Sequence, residues 1–142
     1  MRICHIITRL ILGGAQENTL LTCEGLHERG HEVTLVTGPP LGPEGELLTR
    51  ARAAGYRTVV TDALRREIHP LQDRRAARQI AAALQEACPG VVHTHSSKAG
   101  ILARNVAAQI GGMKIVHTIH GLPFHPYQAA WRNRLYTWLE RR

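Results

Sequence analysis

Ile3-Cys4-His5-Ile6-Ile7, followed at Leu12-Gly13-Gly14-Ala15-Gln16 by a glycine turn, reads as a strand that hands over to a helix. A short apolar run of this kind suits a strand of a parallel sheet covered on both faces. Two glycines permit positive φ and let a ligand come close to the backbone. The helix that starts there offers free N–H groups and the positive end of its dipole, which suits a phosphate. The turn is not Gly-x-Gly-x-x-Gly, and the acidic residue of a nicotinamide site is missing after the second strand. Nor is it a Walker loop, which needs Gly-Lys-Ser/Thr. The competing reading is a plain tight turn.

From that turn outward, strands and helices alternate. Residues 15–29 have helical spacing through Leu20, Leu21 and Leu26, and Gly30 stops the helix. Residues 32–37 are a β-branched strand, and 38–43 form a Gly/Pro loop. A helix over 44–54, ended by Gly55, leads to a strand at 57–61. After a loop at 62–69, Pro70 suits the first position of a helix that runs to about residue 87, where Pro89-Gly90 breaks it. A strand at 91–95, a helix at 98–110, a strand at 114–119 and a helix at 126–141 complete the pattern. Five strand–helix units in succession predict one α/β domain: a Rossmann-like, doubly wound parallel sheet. Such sheets bind ligands outside the carboxyl ends of their strands. That directs attention to residues 8–16, 38–43, 62–69, 93–100 and 117–125.

The 142 residues fit one domain, and 44% hydrophobic content is that of a globular chain. A net charge of +7 favours anionic partners such as phosphates, nucleotides or anionic lipids. Much of the positive excess lies in two patches, 65–78 and 132–142, without a continuous basic face with interleaved aromatics, so no nucleic-acid partner is expected. Cys4, Cys23 and Cys88 form no Cys-x-x-Cys and are odd in number, so the simplest reading is reduced thiols in a cytoplasmic protein. No run approaches the roughly 20 apolar residues of a membrane span.

Two neighbouring strand ends carry polar clusters. Val92-His93-Thr94-His95-Ser96-Ser97-Lys98 closes the fourth strand, and Thr118-Ile119-His120-Gly121 closes the fifth. Alternation puts His93 and His95 on one side. Ser96 or Ser97 can cap the helix that follows. Lys98 sits unfavourably at the positive end of that helix, which calls for an anion or a carboxylate nearby. His120 precedes Gly121 and Pro123 beside the crevice. It has four readings: core histidine, metal ligand, acid or base, and hydrogen-bond partner of a substrate. A zinc site drawn from His93, His95, His117, His120 and His125 would match no zinc spacing, so no metal is expected.

Arg65 and Arg66 follow the third strand, within reach of the same crevice, and bidentate arginines suit phosphate or carboxylate. The last helix carries Tyr127, Trp131, Leu135, Trp138 and Leu139 on one broad face, flanked by arginines. That face either packs on the sheet or a missing neighbour, or lies on an anionic membrane surface.

Taken together, these residues resemble the family-4 glycosyltransferases of the two-domain GT-B fold. The matching pieces are Gly13-Gly14-Ala15, Gly30-His31-Glu32-Val33, Val92-His93-Thr94-His95-Ser96-Ser97-Lys98-Ala99-Gly100 and Val116-His117-Thr118-Ile119-His120-Gly121. They occur in the family's order over nearly the whole chain. The resemblance implies that residues 1–142 form the N-terminal, acceptor-binding domain of a GT-B enzyme. It implies retaining transfer of a sugar from a nucleotide-sugar donor to a glycan or lipid-linked acceptor, without a bound metal or other cofactor. In its terms Gly13 and Gly14 approach the donor, and His120 is the catalytic-site histidine that contacts the donor sugar. Gln16, Arg65, His95, Ser96 and Lys98 face the acceptor.

The family's second Rossmann domain, with its Glu-x7-Glu motif and the basic pair that holds the diphosphate, has no counterpart in these residues. The 142-residue chain by itself is therefore expected to be inactive. The alternatives are a non-catalytic glycan- or membrane-binding Rossmann module and an unrelated phosphate-binding Rossmann protein. A cytoplasmic location, with peripheral contact at the inner face of the membrane, accompanies the transferase reading.

Overall fold

The structure, a computed structural model, describes residues 1–41, 45–121 and 128–140. Strands β1 (Arg2–Arg9), β2 (Glu32–Gly38), β3 (Arg57–Val60), β4 (Val91–His95) and β5 (Lys114–Thr118) alternate with helices α1 (Gly14–Glu28), α2 (Leu48–Ala53), α3 (Pro70–Ala87), α4 (Ser97–Ile110) and α5 (Ala130–Glu140). All four strand pairings are parallel, in the order β3-β2-β1-β4-β5. This is the expected Rossmann-like sheet. The strand order reverses beside β1, so the switch-point crevice lies between the carboxyl ends of β1 and β4.

Alternation along the strands divides the core in two. Cys4, Ile6, Val36 and Val92 pack with Leu64, Ile80, Leu84, Ala103 and Ala107 beneath α3 and α4. Ile7, Val33 and Leu35 pack with Leu20, Cys23, Leu48 and Ala51 beneath α1 and α2. The thiols of Cys4 and Cys23 are pushed up to about 12 by burial, so both behave as small apolar groups.

Several boundaries differ from the sequence reading. Helix α2 starts at Leu48 and not at residue 44, which lies outside the described residues. Gly45 has φ +75°, which no helix accommodates, and the Glu46 carboxylate accepts hydrogen bonds from Leu48 N–H and the Thr49 hydroxyl. Glu46 therefore caps the helix from outside it. Leu21 is not on the buried stripe of α1: it is exposed, and Thr19, Leu20 and Cys23 face the sheet. The expected start of the last helix at Pro126, with Tyr127, lies outside the described residues. The described helix begins at Ala130.

The backbone runs tightest at the end of β2. A Cβ on Gly38 would stand 1.8 Å from the Leu64 carbonyl oxygen and 2.5 Å from that of Thr8. Here the loop after β3 crosses against the end of β1, and only glycine leaves room. Gly14 is the opposite case: its backbone is helical, and nothing lies within 4 Å of where a Cβ would stand.

Gly38→Ala should therefore destabilise the fold by about 1–3 kcal/mol or more. Gly14→Ala should stabilise it by about 0.4–1 kcal/mol through the unfolded chain. Urea unfolding of both variants measures the contrast, and equal midpoints would contradict it.

Candidate functional site

At the carboxyl ends of β1 and β4 lies a cleft of about 530 Å³. Its walls include Ile7, Arg9, Gln16, Arg66, Ser96 and Lys98, with Ile68 and Ile101 adding apolar surface. Gln16, Ser96 and Lys98 thus meet in one place. Arg65 does not join them. It lines a neighbouring depression with Asp62, Leu71 and Arg75, and its Nε donates to the Asp62 carbonyl. Arg66, one residue on, reaches the cleft.

The start of α4 is built by β1. Ser96 is the N-cap residue, but its hydroxyl makes no capping bond. Thr8 caps the helix instead, its Oγ1 accepting from Ala99 N–H at 3.1 Å. The Ser96 hydroxyl bonds Thr8 Oγ1 at 2.7 Å and accepts from Thr8 N–H at 3.4 Å. The β1–β2 register is irregular between Ile7 and Arg9, which frees Thr8 for this task. Ser96 holds φ 63° and ψ 149°, a region that costs a non-glycine residue on the order of 1–3 kcal/mol. The Thr8 contacts hold it there.

Lys98 finds the carboxylate that its position called for inside the protein. Its Nζ lies 2.6 Å from Asp73 Oδ1 and donates to the Glu67 carbonyl at 2.9 Å. Both side chains are mostly buried. Lys98 thus ties α4 to α3, and its charge is already balanced on the cleft wall.

Gly13 and Gly14 do not use positive φ. Gly13 is extended, with φ 171°, and Gly14 is the first residue of α1. What the glycines supply is space. Both are exposed, and the N-cap offers no side-chain bond to the first N–H groups of α1.

The histidines gather more closely than their spacing indicated. His5 and His93 are register partners on β1 and β4. His93 and His95 pack with ring centroids 4.2 Å apart, tilted by 34°. His5 Nδ1 lies 3.0 Å from His95 Nε2, and His95 Nδ1 lies 3.0 Å from His120 Nε2. His93 Nε2 bonds the Thr118 hydroxyl at 2.7 Å. His117 points to the opposite face, bonding Thr94 Oγ1 through Nδ1 at 2.8 Å, and its ring sits where a Cβ on Gly100 would stand. His125 lies outside the described residues.

His5, Thr8, Arg9 and Asp73 were not singled out from the sequence as parts of this site. A fully buried histidine in a central strand is a signal for His5, since buried polar groups need partners. The partner itself comes only with the β1–β4 pairing.

His5, His93 and His95 each offer a ring nitrogen within 4.8 Å of the others. A zinc ion would need three or four lone pairs converging at about 2.0–2.1 Å. The His5 and His95 rings are instead nearly parallel, at 13°, with their nitrogens at hydrogen-bond distance. That is the arrangement of an N–H···N bond.

The family described as "Glycosyl transferase 4-like domain" matches residues 13–142. A curated relative is the UDP-Gal:alpha-D-GlcNAc-diphosphoundecaprenol alpha-1,3-galactosyltransferase of Escherichia coli. It is 30% identical over 141 residues, covering 99% of this chain and 35% of the relative. The chain thus spans about a third of that relative's length. Among solved structures, the sucrose-phosphate synthase of Thermosynechococcus elongatus superposes with TM-score 0.71 at 18% identity, over 98% of this chain and 39% of that one. The UDP-GlcNAc 2-epimerase of Methanocaldococcus jannaschii gives 0.58 at 12% identity, over 98% and 36%. A synthase and an epimerase share this architecture, so these likenesses establish the fold, and chemistry must be argued from the site.

Burial, and then the neighbouring rings, hold His5 at about 4 and His95 at about 2, so both are neutral in the folded protein. In the unfolded chain they titrate at about pH 6.5. Between those values the unfolded chain binds protons that the folded chain does not. Stability is therefore full above about pH 6.5 and falls as pH drops, by roughly 2 kcal/mol per ring at about pH 5. Urea midpoints taken from neutral to acid pH should fall accordingly, and His5→Asn should flatten the dependence. A midpoint constant down to about pH 5 would contradict the neutral pair.

Proposed function

The chain belongs to the glycosyl transferase 4-like domain family, and from that premise we propose that it forms the acceptor side of a two-domain, retaining sugar transferase. The donor is a nucleotide sugar, and the acceptor is a glycan carried on a lipid diphosphate. The observation that carries this reading is the composition of the cleft. Arg9 and Arg66 bring positive charge to a wall that also holds Ile7, Ile68 and Ile101. A diphosphate joined to an apolar chain needs both kinds of surface at once. The Escherichia coli relative is named for an acceptor of that chemistry, a diphosphoundecaprenol.

In this reading each part of the site has a physical task. The bare N-terminus of α1 and the open space over Gly14 admit the donor's charged end to within reach of free N–H groups. His120, partly buried at the end of β5, contacts the donor sugar. Its basicity is lowered by burial, so it is a neutral hydrogen-bonding group near pH 7. A neutral ring suits a site that must hold hydroxyls without drawing the acceptor's phosphates away from Arg9 and Arg66. Gln16 and Ser96 line the acceptor side, and Lys98 holds α3 and α4 in place behind it. A second domain supplies the remaining basic groups for the donor diphosphate, and no resident metal or other cofactor enters the transfer.

Helix α5 fits a peripheral position at the cytoplasmic face of a membrane. Trp131 is 63% and Trp138 50% exposed, and Arg134 is exposed beside them. Tryptophan and arginine together suit the headgroup region. No described helix is long and apolar enough to cross a membrane.

In the full-length protein, His120→Ala should lower kcat about a hundredfold or more. Arg66→Ala should raise KM for a lipid-diphosphate acceptor about tenfold, and Arg65→Ala, outside the cleft, should change it far less. Sugar transfer assays on the three variants check the assignment, and an unchanged His120→Ala enzyme would overturn the donor-sugar role. Co-sedimentation with anionic vesicles at low salt should be lost in the Trp131→Ala/Trp138→Ala double variant.

A further inference from the structure

His120, just beyond the carboxyl end of β5, does not stand alone. It is the outer end of a row of three imidazoles, His5–His95–His120, each joined to the next by a nitrogen pair 3.0 Å apart. His5 and His95 are fully buried, at 0% and 1% exposure, and His120 is partly buried. His95 spends both of its nitrogens on the row. A neutral imidazole has one N–H and one lone pair, so the middle ring must donate to one neighbour and accept from the other.

Only two proton arrangements satisfy this. In the inward one, His120 Nε2–H donates to His95 Nδ1, and His95 Nε2–H donates to His5 Nδ1. The N–H of His5 then sits on Nε2. In the outward one, His5 Nδ1–H donates to His95 Nε2, and His95 Nδ1–H donates to His120 Nε2. His5 Nε2 then carries a lone pair, and the N–H of His120 sits on Nδ1.

The far end of the row decides between them. His5 Nε2 is buried with no hydrogen-bond partner among the described residues. The inward arrangement leaves a bare N–H at that atom, and the outward one leaves a bare lone pair. Orphaned donors are the rarer fault in folded proteins. The slight intrinsic preference of a free imidazole for Nε2–H opposes this choice, but a solvent-exposed ring feels that preference while a buried row must satisfy its partners first.

We infer that His5 and His95 are positioning residues that fix His120 as a neutral ring with its proton on Nδ1, so that the nitrogen of His120 that does not join the row is an N–H donor and not a basic lone pair. The low basicity of the two buried rings agrees with a row that carries no net charge. His93 supports the row from the side, its ring tilted against His95 and pinned by the Thr118 hydroxyl. The consequence for chemistry rests on the transferase reading above. A donor on Nδ1 can hold a sugar hydroxyl oxygen in place, whereas a lone pair on Nδ1 would take a proton from an acceptor hydroxyl. The tautomer assigns His120 to the first task.

The test is direct observation of the protons. Full-length protein labelled with 15N only in its histidine rings is studied by long-range 1H–15N correlation near pH 7, with His120 assigned by the loss of its signals in His120→Gln. Wild-type protein should show His120 protonated at Nδ1 and bare at Nε2. A proton on His120 Nε2 overturns the inference, and this arm needs no core variant to fold. His95→Leu removes the ring that donates to His120 Nε2, and His120 should then average between its two tautomers. His95→Gln, whose amide N–H can donate to His120 Nε2, should restore the wild-type signals. An unchanged His120 in His95→Leu also overturns it, because the row would not be what sets the proton. In transfer assays His95→Leu should lose about tenfold in kcat with little change in acceptor KM, with rescue by His95→Gln. If the Nδ1 proton is found and His120→Ala nonetheless transfers sugar normally, the row stands and the transferase role of His120 falls.

Discussion

The pairing of β1 with β4 is the constraint on which the site depends. Every other neighbouring pair in the sheet joins strands consecutive in the chain, whereas this one brings together segments some ninety residues apart. The crevice opens there because the connections on the two sides of β1 run in opposite directions. The same pairing sets His5 against His93 and carries the Thr8 hydroxyl to the first turn of α4. A helix that could not cap itself is thus capped by a strand from the other end of the chain. The loss of either strand's register would uncap α4 and disperse the cleft together.

Around this joint the protein places conformational cost beside its binding surface. Ser96 is held at a positive φ with an extended ψ, and Gly38 lies where any side chain would meet carbonyl oxygens. Both belong to the carboxyl edge of the sheet; Ser96 is held by its hydroxyl bond to Thr8, and Gly38 leaves room for the Thr8 carbonyl oxygen. The Lys98–Asp73 pair adds a tie between α3 and α4 on the same edge. Its burial makes it a geometric device more than a source of stability, since desolvation offsets much of the attraction. These features describe a wall that is rigid where a substrate would meet it, which is what positioning requires.

The electrostatics are arranged in two layers. The outer layer carries Arg66 on the cleft, and Arg75 paired with Asp62 nearby. Behind it lies a neutral layer of histidines whose basicity burial has suppressed. A positive surface attracts an anion, and the neutral layer does not compete for it. A ring exposed to water would not remain neutral so reliably, because the unperturbed histidine titrates close to physiological pH.

The strand–helix alternation, the parallel sheet and the edge that carries the site were legible in the sequence. They follow from local facts: apolar runs of strand length, helical spacing, and glycine or proline at the breaks. The four motifs Gly13-Gly14-Ala15, Gly30-His31-Glu32-Val33, 92–100 and 116–121 also identified the family, because they are contiguous in the chain. What needed the tertiary structure was every relation between distant residues. The choice of Arg66 over Arg65 depends on how one loop turns, and the capping of α4 by Thr8 depends on an irregularity in β1. The partner of Lys98 lay on another helix, and the partner of His120 lay behind it in β4, with His5 behind that. Periodicity tells which face a side chain takes, but hydrogen bonds of 3.0 Å are set by which strands lie side by side, and that is decided by the packing of the whole sheet.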